Sequence, residues 1–195
     1  MSIPVPDSWA VTDPELEWSQ LDSEARRERL LSAAGRLFAR DGLAAPMPAV
    51  AAEAGAGVAS LYRRFPSKHE LLAALVIRRL EQFEEAAVAA VAGEGDRFSA
   101  LTELLWTMVE RASADDFLGG ARMLVGDHPG VVEATERATF ALERLLADAR
   151  VEGRLRADAT TLDIHLLFAA TRAAKQVEPA AWRRTLELFI DALER

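Results

Sequence analysis

Residues 42–72, GLAAPMPAVAAEAGAGVASLYRRFPSKHELL, constrain the fold of this chain most, because they hold two short helical patterns joined by a glycine-bearing turn. Apolar residues of the first pattern recur at i, i+3, i+4 and i+7, the stripe of an amphipathic helix, and are Met47, Val50, Ala51 and Ala54. The second stripe consists of Val58, Leu61 and Phe65. Gly55 and Gly57 flank the join, where one residue is expected to adopt a positive φ.

The second of these helices is expected to bury one side and to show polar groups on the other. Its remaining positions, away from the apolar stripe, are Ser60, Tyr62, Arg63 and Arg64. Hydroxyls and guanidinium groups on the open side of a short helix suit the groove of a DNA duplex. The spacing therefore predicts a helix-turn-helix over about residues 47–66.

Charge is distributed unevenly along the chain, whose formal net charge is −8. Residues 24–80 carry ten Lys and Arg against five Asp and Glu, whereas the remainder carries 13 basic and 26 acidic residues. Screening limits the reach of distant charges to about 8–10 Å at physiological salt, so DNA affinity depends on the local excess. The asymmetry predicts a basic unit attached to an acidic body.

Composition favours an all-α protein, because Ala, Leu, Arg and Glu dominate and strand-like alternation is nearly absent. There is no cysteine, which excludes disulfides, thiolate metal sites and cysteine nucleophiles. No apolar run reaches transmembrane length and no signal peptide is evident. We expect a cytoplasmic protein with no membrane partner.

Helix boundaries follow from periodicity and from capping residues. Ser67 and Glu70 fit the S-x-x-E capping box, while Pro46 and Pro179 are expected in the first turns of their helices. Besides the helix-turn-helix pair, helices are predicted over residues 23–40, 67–91, 98–111, 115–125, 131–152, 160–175 and 179–194.

Three regions are predicted from these elements. Residues 22–84 form the helix-turn-helix domain, with its long fourth helix leading onward, and residues 85–195 form a helical regulatory and dimerisation domain. Residues 1–21 are expected to be an extended tail. Two interpretations of its Trp9 and Trp18 stay open: a loosely held terminus, or tryptophans that dock onto an apolar groove.

The last two predicted helices carry apolar stripes broader than a surface helix needs. We expect these stripes to pair with their copies in a homodimeric four-helix bundle, and the alternative is that they only cover the intrachain core. The candidate dimer-interface residues are Leu162, Leu166, Ala169, Ala173, Trp182, Leu186, Phe189, Ile190 and Leu193.

Two runs, RRERLLSAAGRLFARDGL and VAAEAGAGVASLYRRFPSKHELLAAL, resemble the DNA-binding domain of TetR-type (TetR/AcrR) transcriptional regulators. The resemblance covers residues 24 to about 84, and the remainder is similar only in architecture. It implies a homodimeric regulator, most often a repressor, that binds a near-palindromic operator in double-stranded DNA. It also implies a small-molecule effector, no cofactor and no catalytic activity.

The family pattern implies which residues contact DNA: Gly57, Ser60, Tyr62, Arg63, Arg64 and Lys68. Tyr62 and Lys68 would bind the phosphate backbone, whereas Ser60 and the arginines could read base edges. Alternatives remain open for two of them, a surface ion pair for Arg64 and a plain exposed hydroxyl for Ser60. The sequence departs from the family at Pro46, where a Ser or Thr usually caps the first helix of the pair.

A mostly apolar effector pocket is expected in the second domain. Its candidate lining residues, for each of which plain core packing is the alternative, are Trp106, Met108, Phe117, Met123, Phe140, His165, Phe168 and Arg172. The three histidines have no paired spacing, and no phosphate-binding loop or catalytic triad order is present, so no enzyme is predicted. The rival function is that of a helical ligand- or partner-binding protein without specific operator binding.

Overall fold

A computed structural model describes residues 17–114 and 117–195 of the chain. The predicted all-α class is confirmed: a 3-10 turn at Trp18–Gln20 precedes nine α-helices in this part of the chain. They are α1 (Ser23–Asp41), α2 (Met47–Glu53), α3 (Val58–Arg64), α4 (Lys68–Ala92), α5 (Arg97–Ala114), α6 (Phe117–Val125), α7 (Pro129–Val151), α8 (Thr161–Val177) and α9 (Ala181–Leu193).

Side-chain caps account for several helix starts. The Ala25 amide donates to Oδ1 of Asp22 over 2.8 Å before α1, and the Glu70 amide donates to Oγ of Ser67 over 3.1 Å before α4. These bonds satisfy amides that the first helical turn leaves without partners. The cap predicted at Ser67 is therefore present.

Prolines account for three of the boundaries that differ from the sequence prediction. Pro46 is the N-cap of α2 with φ −79° and ψ 151°, one residue outside the predicted helix, and Pro48 stands in the first turn instead. Pro179 precedes α9, whose N-cap is Ala180. Pro129 opens α7, two residues before the predicted start. In each case the missing amide proton of proline lies where a helix needs no donor.

The described residues form two compact units. The N-terminal unit contains residues 17–79 together with 117–132, and the other contains 80–114 with 133–195. In the N-terminal unit the largest fully buried side chains are Leu30, Leu31, Phe38, Leu61, Leu71 and Leu75.

Helix α6 and the turn after it belong to the N-terminal unit, although they lie within the predicted second domain, residues 85–195. The Phe117 ring lies 5.8 Å from the Phe38 ring, centroid to centroid. A Cβ atom on Gly120 would lie only 3.2 Å from Leu43 Cδ1, so glycine permits this close approach of α6. Long-range packing, which local periodicity does not report, places the helix here.

The second unit is built around a core of leucines and alanines contributed by the end of α4 and by α5, α7, α8 and α9. Arg154 ties its loops together through 2.6 Å contacts to Asp96 and to Glu194. Hydrogen bonds from the hydroxyl and amide of Ser99, with the charge of Arg154, hold the pKa of Asp96 below its ordinary value. The loop before α5 is therefore fixed to the end of α9.

Two further predictions concern membrane-spanning helices and the N-terminal tail. No helix among the described residues is long and apolar enough to cross a membrane. Of the predicted tail, residues 1–16 lie outside the described part of the chain, and Trp9 with them. The half-buried Trp18 is described and belongs to the 3-10 turn before α1.

Candidate nucleic-acid interface

The turn between α2 and α3 depends on one glycine in the left-handed region. Gly55 has φ +66°, and the Ala56 amide donates to the Ala51 carbonyl over 2.8 Å, which closes the end of α2. Gly57 is the N-cap of α3 with an ordinary φ of −70°. Of the two glycines that flank the predicted join, Gly55 is therefore the one whose backbone conformation requires glycine.

Helix α3 has one buried and one exposed side, but the predicted apolar stripe is buried only in part, because 43% of Val58 is exposed at its start. Leu61 and Phe65 are buried, with Leu61 fully excluded from solvent, whereas 43% of Tyr62 is exposed. Arg63 and Arg64 are also exposed at the end of the helix. The apolar side fixes the helix to its unit and leaves the hydroxyl and guanidinium groups open to a ligand.

Two candidate base readers contact each other. Nη2 of Arg63 donates to Oγ of Ser60 over 2.7 Å, one turn earlier in α3. Arg64 instead lies toward α1, where Nη2 is 3.4 Å from the Ser23 carbonyl and 3.8 Å from Oε2 of Glu24. The alternative of a surface ion pair for Arg64 thus has a defined partner, while Arg63 and Ser60 form a joint polar surface.

Lys68 makes its contacts within its own chain. Its Nζ donates to the Ala45 carbonyl over 2.7 Å and lies 5.4 Å from the centre of the Phe38 ring. Burial lowers the pKa of the Lys68 ammonium below its ordinary value. The side chain therefore braces the loop before α2, and its predicted phosphate contact stays a prediction.

A cleft of about 240 Å³ lies between α3 and the start of α1. We call it the arginine cleft, because Arg26, Arg27, Arg63 and Arg64 all line it, together with Trp18 and Ser60. Four guanidinium groups around one opening, of which two are on the candidate recognition helix, suit a polyanion such as a DNA backbone.

Sequence reasoning missed the contribution of α1 to this cleft. Arg26 donates from Nε to the Trp18 carbonyl over 3.1 Å and from Nη2 to the Ser19 carbonyl over 3.0 Å. Nη1 of Arg27 lies 3.5 Å from Oε1 of Glu24. The paired arginines at the start of α1 were the available signal, but only the fold shows that they face α3.

The residues predicted to line an effector pocket are not gathered in one place. Phe117 and Met123 belong to the N-terminal unit, and 81% of Met123 is exposed. In the second unit Met108 is buried, Trp106 and Phe168 pack against the core, and Phe140, His165 and Arg172 are exposed. The rings of Trp106 and Trp182 meet edge-on at 6.2 Å.

The candidate dimer residues divide into two groups. Trp182, Leu186 and Leu193 are buried in the core of the second unit, where Phe189 and Ile190 also pack. The residues of α8 face outward: 62% of Leu162 and 52% of Leu166 are exposed, and the exposed small residues beside them are Ala169 and Ala173. His165 and Arg172 are exposed on the same helix.

The three histidines are divided between the two units. The rings of His69 and His128 lie 5.9 Å apart in the N-terminal unit, and Nε2 of His128 is 3.5 Å from Oε2 of Glu70. His165 lies on α8 of the other unit. Among residues 17–114 and 117–195, no group of three or more His, Asp or Glu side chains could hold a metal ion.

Comparison with known proteins agrees with the geometry of α1 to α4. Residues 30–75 match the family described as "Bacterial regulatory proteins, tetR family". No curated protein is significantly similar in sequence.

Solved structures extend the similarity to most of the chain. A TetR transcription regulatory protein from Mycobacterium vanbaalenii is 31% identical with a TM-score of 0.65, over 88% of this chain and 96% of that one. A TetR transcriptional regulator from Streptomyces coelicolor is 26% identical with a TM-score of 0.68, over 86% and 98% of the two chains. SmeT, the repressor of a multidrug efflux pump of Stenotrophomonas maltophilia, shares the fold at 24% identity and a TM-score of 0.61, over 91% and 92%.

Proposed function

Because this chain belongs to the TetR family of bacterial transcriptional regulators, we propose that it is a homodimeric repressor that binds a near-palindromic operator. A small-molecule effector would release it from DNA. The observation that carries the proposal is α3, which buries Leu61 and exposes Tyr62 and Arg63 beside a cleft of four arginines. The site of action is the cytoplasm, where the operator lies.

Side-chain chemistry indicates which residues contact bases and which contact phosphates. The joined Ser60 and Arg63 are proposed to read base edges, since a hydroxyl and a guanidinium both match groups in the major groove. Tyr62 and the amide of Gly57 are proposed to contact phosphates, which fixes the register of the helix. Arg64 would exchange its contact with Glu24 for the DNA backbone.

Dimerisation through α8 is supported by the exposed apolar side of that helix. Leu162 and Leu166 are one turn apart, and the exposed Ala169 and Ala173 continue the stripe with small residues that allow a close helix approach. Because α9 turns Trp182 into the core of its own chain, we propose that α8 supplies most of the apolar contact between protomers.

The effector is proposed to be an apolar small molecule that binds in the second unit. SmeT, a relative in fold at 24% identity, is known in a complex with triclosan, an observation on that protein. In this chain the ring pair of Trp106 and Trp182, with Phe168 packed against the same core, would supply apolar surface for such a molecule. Release of DNA requires that the effector bind the DNA-free arrangement of the dimer more tightly than the bound one.

Selection of bound genomic fragments, followed by fluorescence anisotropy, tests the proposed function. We expect fragments that share a near-palindrome and bind at least about a thousandfold more tightly than random duplex at the same salt. Failure to find any such fragment would refute operator binding and favour the rival ligand- or partner-binding protein.

Two substitutions then test the roles on α3. Arg63→Gln is expected to change base preference at the contacted position by about 1–3 kcal/mol of discrimination. Tyr62→Phe is expected to weaken all duplexes alike by about fivefold, the value of one net hydrogen bond near 1 kcal/mol. A changed preference in the Tyr62 variant, or an unchanged one in the Arg63 variant, would mean that the readers are assigned wrongly.

A further inference from the structure

The two side chains that are joined on α3 differ in burial and in reach. Ser60 is half-buried, whereas Arg63 is exposed at the end of the helix. Because they are three residues apart, both side chains lie on the same face of the helix. A serine hydroxyl stays close to the backbone, while the longer arginine side chain can extend into a groove. Arg63 is therefore the member of the pair that is better placed to reach a base edge.

The hydrogen bond between the two residues restrains the Arg63 guanidinium before any DNA is bound. Its Nη2 donates to Oγ of Ser60 over 2.7 Å. A flexible arginine loses rotamer freedom when it binds a ligand, and a contact already made within the helix reduces that cost. A restrained plane matters for a planar partner such as a base, whereas a phosphate needs only a nearby positive charge.

The guanidinium keeps a complete pair of donors after this bond has formed. Four of its five hydrogens form two edges of parallel N–H groups, one made by Nε with Nη2 and the other by Nη1 with Nη2. The Ser60 hydroxyl accepts one hydrogen of Nη2, so it occupies one edge only. The remaining edge matches the O6 and N7 acceptors of guanine, which arginine contacts with two hydrogen bonds in the major groove.

The two neighbouring arginines of α3 have partners of different charge. The hydroxyl that holds Arg63 is uncharged, so the positive charge of this guanidinium is not offset there. Arg64 lies 3.8 Å from the carboxylate of Glu24 on α1. At a phosphate Arg64 exchanges one anion for another, and this contact carries no sequence information. Arg63 is thus prepared for a base edge and Arg64 for the DNA backbone.

We propose that Ser60 is a positioning residue that orients Arg63 toward a guanine in each operator half-site. The inference rests on the proposed operator binding, which it narrows in two respects. It names guanine as the base that is read, and it gives Ser60 a role that acts through Arg63. Each half-site is accordingly expected to contain a G·C pair whose O6 and N7 face α3 in the major groove.

Modified operators test the guanine contact by fluorescence anisotropy once a preferred sequence has been selected. Each guanine of the half-site is replaced in turn by 7-deazaguanine, which lacks only the N7 acceptor. At one position we expect binding to weaken about fivefold or more, as for the loss of a hydrogen bond from a charged donor. Inosine at the same position keeps O6 and N7 and should change the affinity by less than about twofold.

Two arginine variants show which side chain makes the contact. Arg63→Ala should bind the 7-deazaguanine operator and the unmodified operator equally, because it has no guanidinium to lose a partner. Arg64→Ala is the matched control, and it should weaken binding to both operators while it retains the difference between them. A difference that persists in Arg63→Ala and disappears in Arg64→Ala would overturn the assignment of Arg63.

Substitutions of Ser60 separate positioning from direct reading of a base. Ser60→Ala should reduce the 7-deazaguanine effect by at least about half, whereas Ser60→Thr keeps the hydroxyl and should keep the effect. In the Arg63→Ala background, Ser60→Ala should not change the ratio of the two affinities any further. Loss of preference at a different base pair, or an equal effect of Ser60→Ala in both backgrounds, would show that Ser60 reads a base itself and would overturn the positioning role.

The restraint on Arg63 can also be measured without DNA. Nitrogen-15 relaxation of Nε, whose resonance is identified by its loss in Arg63→Ala, reports the motion of this side chain. We expect an ordered side chain in the unaltered protein and in Ser60→Thr, and a mobile one in Ser60→Ala. Equal mobility in all three proteins overturns the positioning role.

The outcomes distinguish failure of this inference from failure of the proposed function. Selection that yields no preferred sequence refutes operator binding, and the guanine contact with it. A preferred sequence that tolerates 7-deazaguanine at every position refutes the guanine contact alone and leaves the regulator intact.

Discussion

Replacement of Gly55 by alanine isolates the energetic role of the turn between α2 and α3. Gly55 has φ +66°, and a Cβ atom built on it would meet nothing within 4 Å. The penalty of Gly55→Ala is therefore conformational and not steric. Gly57, two residues later, has φ −70° and provides a matched control in the same turn.

The magnitude follows from the backbone of each residue. An L-residue in the left-handed region is less stable by about 1–2 kcal/mol, so Gly55→Ala should lower the free energy of unfolding by roughly that amount. At Gly57 the alanine loses a small N-cap preference but restricts the unfolded chain, and these effects of about 0.5–1 kcal/mol oppose each other. We expect a net change within about 0.5 kcal/mol for Gly57→Ala.

Urea and thermal unfolding, followed by circular dichroism at 222 nm, measure the difference. For a chain of this size, 1 kcal/mol corresponds to a decrease of about 2–4 °C in Tm. Gly55→Asn should recover part of the loss, because asparagine tolerates the left-handed region better than alanine does. A Gly57→Ala variant as destabilised as Gly55→Ala, or a neutral Gly55→Ala, would refute the reasoning.

The remaining predictions concern an internal cation, the dimer and acid stability. Lys68→Met should lower the free energy of unfolding by about 1–3 kcal/mol, because the Ala45 carbonyl loses a charged donor; a salt slope of DNA binding reduced by about one would show that Lys68 also reaches a phosphate. Leu166→Glu should raise the dimer dissociation constant at least tenfold in sedimentation velocity, because about half of the Leu166 side chain is exposed in each protomer and available for burial in the dimer. The control Val151→Glu, at an exposed site outside α8, should have no effect. The lowered pKa of Asp96 means that its carboxylate stabilises the fold above about pH 4 and loses this contribution as the pH falls through the lowered pKa; Asp96→Asn should therefore reduce stability in urea at pH 7, and by less as the pH falls below about 4.

Local signals in the sequence were sufficient for the helix-turn-helix. The apolar spacing around Leu61, the two turn glycines and the cap at Ser67 each depend on residues within a few positions, and each is present in the structure. The same signals predicted the nine helices of residues 17–114 and 117–195, although some ends differ by one to three residues.

Features that depend on distant partners were not accessible in this way. The assignment of α6 to the N-terminal unit rests on contacts of Phe117 with Phe38 and of Gly120 with Leu43, which are 79 and 77 residues apart in the chain. Periodicity also cannot distinguish the inward stripe of α9 around Trp182 from the outward stripe of α8 around Leu166, because both are apolar at helical spacing.

Because residues 117–132 belong to the N-terminal unit, proteins of this architecture cannot exchange that unit as one continuous segment. From residue 17 onward the polypeptide passes between the two units three times, once within α4 and once on each side of this segment. A chimaera spliced at residue 80 would combine the Phe38 surface of one parent with the α6 of another. Recombination that preserves the N-terminal unit must therefore transfer α6 as well, as a second, discontinuous piece of the gene.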